Sequence, residues 1–185
     1  MTRTVFLDRD GTLNREQGFV TKPQELEVLP GAADAVRRLH DAGFRIVVVT
    51  NQSGIARGLY TESDLAAIHD VLHERLLRLP TAYLHCPHHP EGSFGYGGAC
   101  VCRKPAAGLL FQAKELLGVA FEGGALVGDS ARDLLMARGL PLRTIHVRSG
   151  KPVQHERAVL AHEGLTVDHE AADLAGAVDW LLASR

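Results

Sequence analysis

RIVVVTNQSG, residues 45–54, decides the fold. Ile46 to Val49 is an unbroken β-branched run, apolar on both sides of the chain. A strand of that kind must be covered on both faces, which is the condition of a parallel sheet between helices. Working outward, Thr4–Leu7, Ala82–His85, Ala125–Val127 and Thr144–Val147 read as further short strands. Helical patterns separate them. Ala32–Ala42 is closed by Gly43, and Thr61–Leu79 opens on a Thr61 cap with Asp64 three residues on. Ala107–Leu117 ends at Gly118, Ala131–Arg138 follows the fourth strand, and Ala171–Leu182 closes the chain. Strands alternating with helices predict right-handed crossovers and an α/β fold with a doubly wound parallel sheet. The one irregular stretch, Pro87–Ala99, is rich in Gly, Pro and His and reads as a loop inserted after the third strand.

The bulk numbers suit one domain over residues 1–185. The chain is 45% hydrophobic and 23% charged, with a net charge of −2. No basic stripe suggests a nucleic-acid or membrane-surface partner, and no apolar run approaches a membrane span. MTRTVFLD enters a strand-like run at once, leaving no room for a secretory signal. The three cysteines, Cys86, Cys100 and Cys102, make a poor disulfide framework. A cytoplasmic protein is expected.

Ligands of such sheets sit beyond the carboxyl ends of the strands. There the chain carries Asp8-Arg9-Asp10-Gly11-Thr12, Thr50-Asn51-Gln52-Ser53-Gly54, Arg103-Lys104-Pro105, and Gly128-Asp129-Ser130 followed by Asp133. Asp8, Asp10 and Asp129 would repel one another unless a hard dication joined them, and Mg²⁺ takes such oxygen ligands. Thr50 and Lys104 can hold an anion beside the metal. Metal on one side with lysine and hydroxyl on the other calls for a phosphate, and a carboxylate can serve as nucleophile toward it. A calcium loop of the EF-hand type starting at Asp8 would need glutamate at its twelfth position, where Phe19 stands. A plain strand-to-helix turn explains any one of these blocks, but not four at the same end of one sheet.

Cys86, His88, Cys100 and Cys102 form a Cys₃His set, the donor type of a closed structural zinc site within residues 86–102. His89 is the second choice of imidazole. His40, His69, His73 and His162 fall in helical patterns and read as surface or interface residues rather than ligands.

DRDGT, TN after the β-branched strand, RKP and GDSARD, in that order, resemble the haloacid dehalogenase-like (HAD) phosphohydrolases. With CPHH, CVCRKP and TNQSGIARG, the chain resembles the heptose 1,7-bisphosphate phosphatase family over residues 3 to 150. The resemblance implies a Rossmann-like HAD core without a large cap. It implies Asp8 as nucleophile, Asp10 as general acid and base, and Thr50 and Lys104 as phosphoryl supports. It implies Mg²⁺ on Asp8, the Asp10 backbone carbonyl and Asp129, with Asp133 nearby. Substrate contacts implied are Glu16, Gln17, Gly18 and Phe19, then Asn51, Gln52, Ser53 and Arg103; Phe19 stands where a tyrosine is expected. Arg57 is a further candidate for the distal phosphate. The implied substrate is a small phosphorylated sugar, a heptose 1,7-bisphosphate losing its 7-phosphate on the way to nucleotide-activated heptose. The alternative is histidinol phosphate. Lack of a cap suggests a monomer.

Overall fold

The computed structural model describes residues 2–184. Six strands, β1 (Thr4–Leu7), β2 (Arg45–Asn51), β3 (Ala82–Cys86), β4 (Gly124–Gly128), β5 (Leu142–Val147) and β6 (His169–Ala171), form one parallel sheet in the order β3-β2-β1-β4-β5-β6. The strand order reverses between β1 and β4, so the carboxyl ends of those two strands flank the natural crevice of the sheet.

Alternation along the strands sorts the core into two layers. Val5 and Leu7 of β1, Ile46 and Val48 of β2 and Val127 of β4 face α1 (Ala32–Asp41), α2 (Glu62–Arg75) and α6 (Leu174–Ala183). Phe6, Val47, Val49 and Leu126 face the opposite layer, where α3 (Gly108–Leu117) contributes Leu109, Leu110 and Ala113. The unbroken apolar run of β2 is thus buried on both sides, as a parallel sheet requires. Among the described residues no large cap is inserted between the elements. Among the described residues no helix is long and apolar enough to cross a membrane.

Three boundaries differ by more than two residues from the sequence reading, and two elements are additional to it. α2 stops at Arg75, four residues before Leu79, because Leu77 and Arg78 turn into left-handed conformation and the Arg78 N–H bonds back to the His73 carbonyl at 2.8 Å. Pro80 follows at once, which disfavours helix there. The helix read over 131–138 divides into α4 (Ala131–Leu134) and a 3-10 turn at Leu135–Ala137. Ala171 ends a strand rather than opening the last helix, which begins after Asp173, whose Oδ1 accepts from the Gly176 N–H at 3.0 Å. α5 (Val153–His162) and β6 were not read at all; His169-Glu170-Ala171 has no apolar run to mark it.

Candidate active site

Asp8 follows β1 directly, and its N–H donates to the Val127 carbonyl of β4. Asp129 follows β4. Both carboxylates therefore project from the ends of two strands paired side by side in the sheet. Carboxylate oxygens of Asp8, Asp129 and Asp133 all lie within 4.8 Å of one another, and all three residues are buried. Lys104 enters from the loop after β3. Its Nζ stands 2.5 Å from Asp8 Oδ1 and 2.8 Å from Asp133 Oδ1, at 1% side-chain exposure.

One lysine among three acids leaves negative charge in excess. Burial, then Asp133 and Asp10, push Asp8 up to about 7 against the pull of Lys104. Burial, then Asp8 and Asp133, push Asp129 up to about 9. Burial also opposes ionisation of Asp133, but Lys104 and the Ser130 hydrogen bonds outweigh it and hold that carboxyl below its ordinary value. Lys104, disfavoured by burial, is carried above its ordinary value by Asp133 and Asp8. Asp8 and Asp129 are thus the pair short of positive charge. An all-oxygen set with that deficit fits a hard dication such as Mg²⁺.

Asp10 is held differently. Its carboxylate accepts from Arg9 Nε at 3.1 Å, Arg9 Nη2 at 2.8 Å, Asn14 Nδ2 at 2.9 Å and Gln52 Nε2 at 3.0 Å. Burial raises its proton affinity, but the Arg9 guanidinium and these hydrogen bonds prevail and hold the carboxyl below its ordinary value. Arg9 is itself only 1% exposed, and its Nη1 lies 3.5 Å from His69 Nε2. His69 is therefore a buried residue, not a surface one. It stacks on Tyr83, and burial, then the charge of Arg9, push it down to about 3, so it is neutral.

The cleft in front of these groups is lined by Asp8, Asp10, Thr50, Asn51, Gln52, Ser53, Arg103, Lys104 and Asp129, together with Glu16, Gly18 and Phe19. Two of the expected contacts are not part of its wall. Gln17 turns away to donate to the Glu25 carbonyl at 2.7 Å, and Arg57 pairs with His89 at 2.9 Å. Two others have their polar atoms engaged within the protein. Asn51 Oδ1 accepts from the Lys104 N–H at 3.1 Å, and Gln52 bonds Asp10, Thr50 and Tyr60.

The cleft also contains Arg132 and Lys151, which the sequence reading missed. Lys151 belongs to Arg148-Ser149-Gly150-Lys151 at the carboxyl end of β5, the one central strand end left unread. This segment crosses the site. The Lys151 N–H donates to Asp129 Oδ2 at 2.9 Å, its ammonium pairs with Glu16 at 2.7 Å, and the Ser149 hydroxyl donates to the Gly11 carbonyl at 2.6 Å. Gly150 must be glycine, since a Cβ there would lie 1.9 Å from Asp129 Oδ2.

The second cluster borders the first. Cys86 ends β3, and its Sγ lies 3.6 Å from Cys100 Sγ and 3.1 Å from Cys102 Sγ. Cys100 and Cys102 Sγ are 3.5 Å apart, and His88 Nδ1 lies 3.4 Å from Cys102 Sγ and 3.8 Å from Cys86 Sγ. Thiolates around a tetrahedral zinc with bonds of about 2.3 Å stand about 3.7 Å apart, so this donor set fits zinc. His88 is the imidazole of the cluster, while His89 faces Arg57. Arg103 Nη1 donates to the His88 carbonyl at 3.0 Å, which ties the cleft's arginine to the cluster.

A family model described as HAD-hydrolase-like matches residues 101–177. The D-glycero-beta-D-manno-heptose-1,7-bisphosphate 7-phosphatase of Yersinia pestis is 38% identical, covering 97% of this chain and 89% of that one. The protein of the same name from Escherichia coli (strain K12) is 40% identical and covers 82% of each. The crystal structure of D,D-heptose 1.7-bisphosphate phosphatase from B. bronchiseptica, complexed with magnesium and phosphate, has a TM-score of 0.83 at 36% identity and covers 99% of both chains.

Proposed function

The chain belongs to the D-glycero-D-manno-heptose 1,7-bisphosphate 7-phosphatase family of HAD-type phosphoric monoester hydrolases, and from that premise we propose that it removes the 7-phosphate of a heptose 1,7-bisphosphate through an aspartyl phosphate on Asp8. One observation carries the assignment of residues: Asp8 and Asp129 converge at the sheet's switch point short of one dication, with Lys104 already seated 2.5 Å from Asp8. Mg²⁺ held by Asp8, Asp129 and the Asp10 carbonyl would keep the carboxylates ionised and offset phosphoryl charge.

Asp8 attacks phosphorus, and the bond to the sugar oxygen breaks as Asp10 gives that oxygen its proton. Water then attacks the aspartyl phosphate, with Asp10 taking the water's proton, and inorganic phosphate leaves. Asp10 begins as a carboxylate held by four donors. A phosphate dianion entering beside it raises its proton affinity, as a like charge must, so Asp10 takes up one proton from solvent as the substrate binds, and this is the proton it gives to the sugar oxygen. Lys104 and Thr50 steady the phosphoryl oxygens. Asn51 supports Lys104 through its backbone.

The second phosphate would meet Arg103, Arg132 and Lys151, three cations lining the same cleft. Arg103 is lowered first by burial and then by the charge of Arg132, as expected of cations arranged to share an anion. Zinc on Cys86, His88, Cys100 and Cys102 would order the loop carrying Arg103 and Lys104. The product would feed nucleotide-activated heptose, used in lipopolysaccharide, in the cytoplasm.

The test is phosphate release with Mg²⁺ from both anomers of the heptose 1,7-bisphosphate and from histidinol phosphate. We expect kcat/KM for a bisphosphate to exceed that for histidinol phosphate by about a hundredfold, because the monophosphate leaves Arg103 and Arg132 without the second phosphate. Faster turnover of histidinol phosphate would overturn the substrate assignment.

A further inference from the structure

We propose that Tyr60 is a positioning residue for this reaction: its phenol fixes the one orientation of the Gln52 amide that both holds Asp10 and turns the Thr50 hydroxyl toward the phosphoryl group. The proposal rests on the roles given above to Asp10 and Thr50.

An ionised carboxylate only accepts hydrogen bonds. The Gln52 atom facing Asp10 is therefore its NH₂, 3.0 Å from Asp10 Oδ2 and 2.8 Å from Thr50 Oγ1. Those two bonds use both of its hydrogens. Gln52 Oε1 then points the other way and meets Tyr60, whose hydroxyl donates to it at 2.6 Å. Burial pushes the phenol up to about 12, so it stays a donor throughout the working range. Direction now passes down the chain of bonds. Because Thr50 Oγ1 accepts from Gln52, its own proton is left for an acceptor in the cleft, which is where a phosphoryl oxygen would stand.

The relay is buried: Thr50, Gln52 and Tyr60 are 1%, 3% and 6% exposed. Without the phenol, Gln52 Oε1 is a buried acceptor with no partner, and the amide gains nothing by keeping its orientation. Flipped, it would set an oxygen against the Asp10 carboxylate. Tyr60 is in turn fixed by packing. A Cβ on Gly54 would lie 2.1 Å from the Tyr60 ring, so the chain must be glycine there. Ile55 and Leu65 pack with Tyr60, and Tyr96 of the Cys/His loop closes the cluster.

The experiment compares wild type, Tyr60→Phe, Gln52→Glu and the double variant on heptose 1,7-bisphosphate and on p-nitrophenyl phosphate. Tyr60→Phe keeps the ring and removes only the donor. We expect kcat to fall about tenfold on both substrates with KM changed by less than about threefold, the pattern of a lost transition-state interaction. The unfolding midpoint should fall by only a few degrees, the cost of one buried acceptor left unpaired, with the protein fully folded at the assay temperature. Gln52→Glu should lose more, and adding Tyr60→Phe to it should cost less than about a further twofold, since the two act as one unit. Unchanged kcat in Tyr60→Phe, additive losses in the double variant, or a loss carried by KM rather than by kcat would each overturn the proposal. A wild type that is active on p-nitrophenyl phosphate but inert toward heptose bisphosphate would overturn the substrate reading alone, and the Tyr60 comparison on the aryl ester would still decide this proposal.

Discussion

The two clusters at the carboxyl end of the sheet differ in what holds them together. The acidic cluster hangs from β1 and β4, whose register fixes Asp8 and Asp129 whether or not a cation is present. The Cys/His cluster has one member on a strand, Cys86, and three on a loop of low apolar content. The first is strained by charge and rigid in backbone. The second lies mostly on a loop, whose order rests on its ligand set together with a few contacts such as the bond from Arg103 to the His88 carbonyl. Substitutions should therefore separate chemistry from stability at the first site and join them at the second.

The largest effect should come from Asp8→Asn. Turnover should fall by about four orders of magnitude or more, as for removal of other nucleophiles. The fold should survive, because the change relieves repulsion with Asp133 and Asp129. Steady-state assay with a thermal melt checks both, and residual activity near wild type would break the nucleophile assignment.

Cys102→Ser comes next. It should release the metal, lower the unfolding midpoint and cut kcat/KM by about ten- to a hundredfold, the range seen when metal-site supports are lost. The damage would travel through Arg103, tied to the His88 carbonyl, and through Lys104 beside it. Elemental analysis with kinetics decides: metal lost and kinetics unchanged would show that the clusters are independent.

The smallest effect is the pH response of protein kept free of magnesium. In the fold Asp8 and Asp129 are raised from 3.8 to about 7 and about 9. Between those limits the folded state binds more protons than the unfolded chain, so raising the pH costs stability. The contribution is complete below 3.8 and is lost as pH climbs through about 7 and about 9. Melts of magnesium-free protein should fall between about pH 6 and about pH 9, with added Mg²⁺ restoring most at the upper end, where no protons compete. A magnesium-free midpoint that rises over that range would show that the acidic cluster is not under the stated strain.

The same contrast explains what could be read in advance. Residues attached to strand ends were legible, because a β-branched run marks the strand and the next residues must lie at its carboxyl end. Asp8, Thr50, Lys104 and Asp129 all line the cleft as expected. Lys151 stands in RSGK at the carboxyl end of β5, the same kind of position as the other four. Gln17 and Arg57 could not be sorted by position, since neighbouring loop residues differ in where their side chains turn. The helical period of α2 showed its apolar stripe but not that His69 would sit against Arg9.

By itself the sequence determined the alternation of strands and helices, the polar blocks at the strand ends and the Cys₃His donor set. These follow from local periodicity and from residue chemistry, which need no knowledge of distant contacts. Only the tertiary structure decided that His88 rather than His89 joins the cysteines, that Lys151 closes over Asp129, and that Tyr60, Gln52 and Thr50 form one directed chain. Each depends on which side chains meet across long separations and on how many hydrogen bonds a buried group has left. Those quantities exist only once the chain has packed.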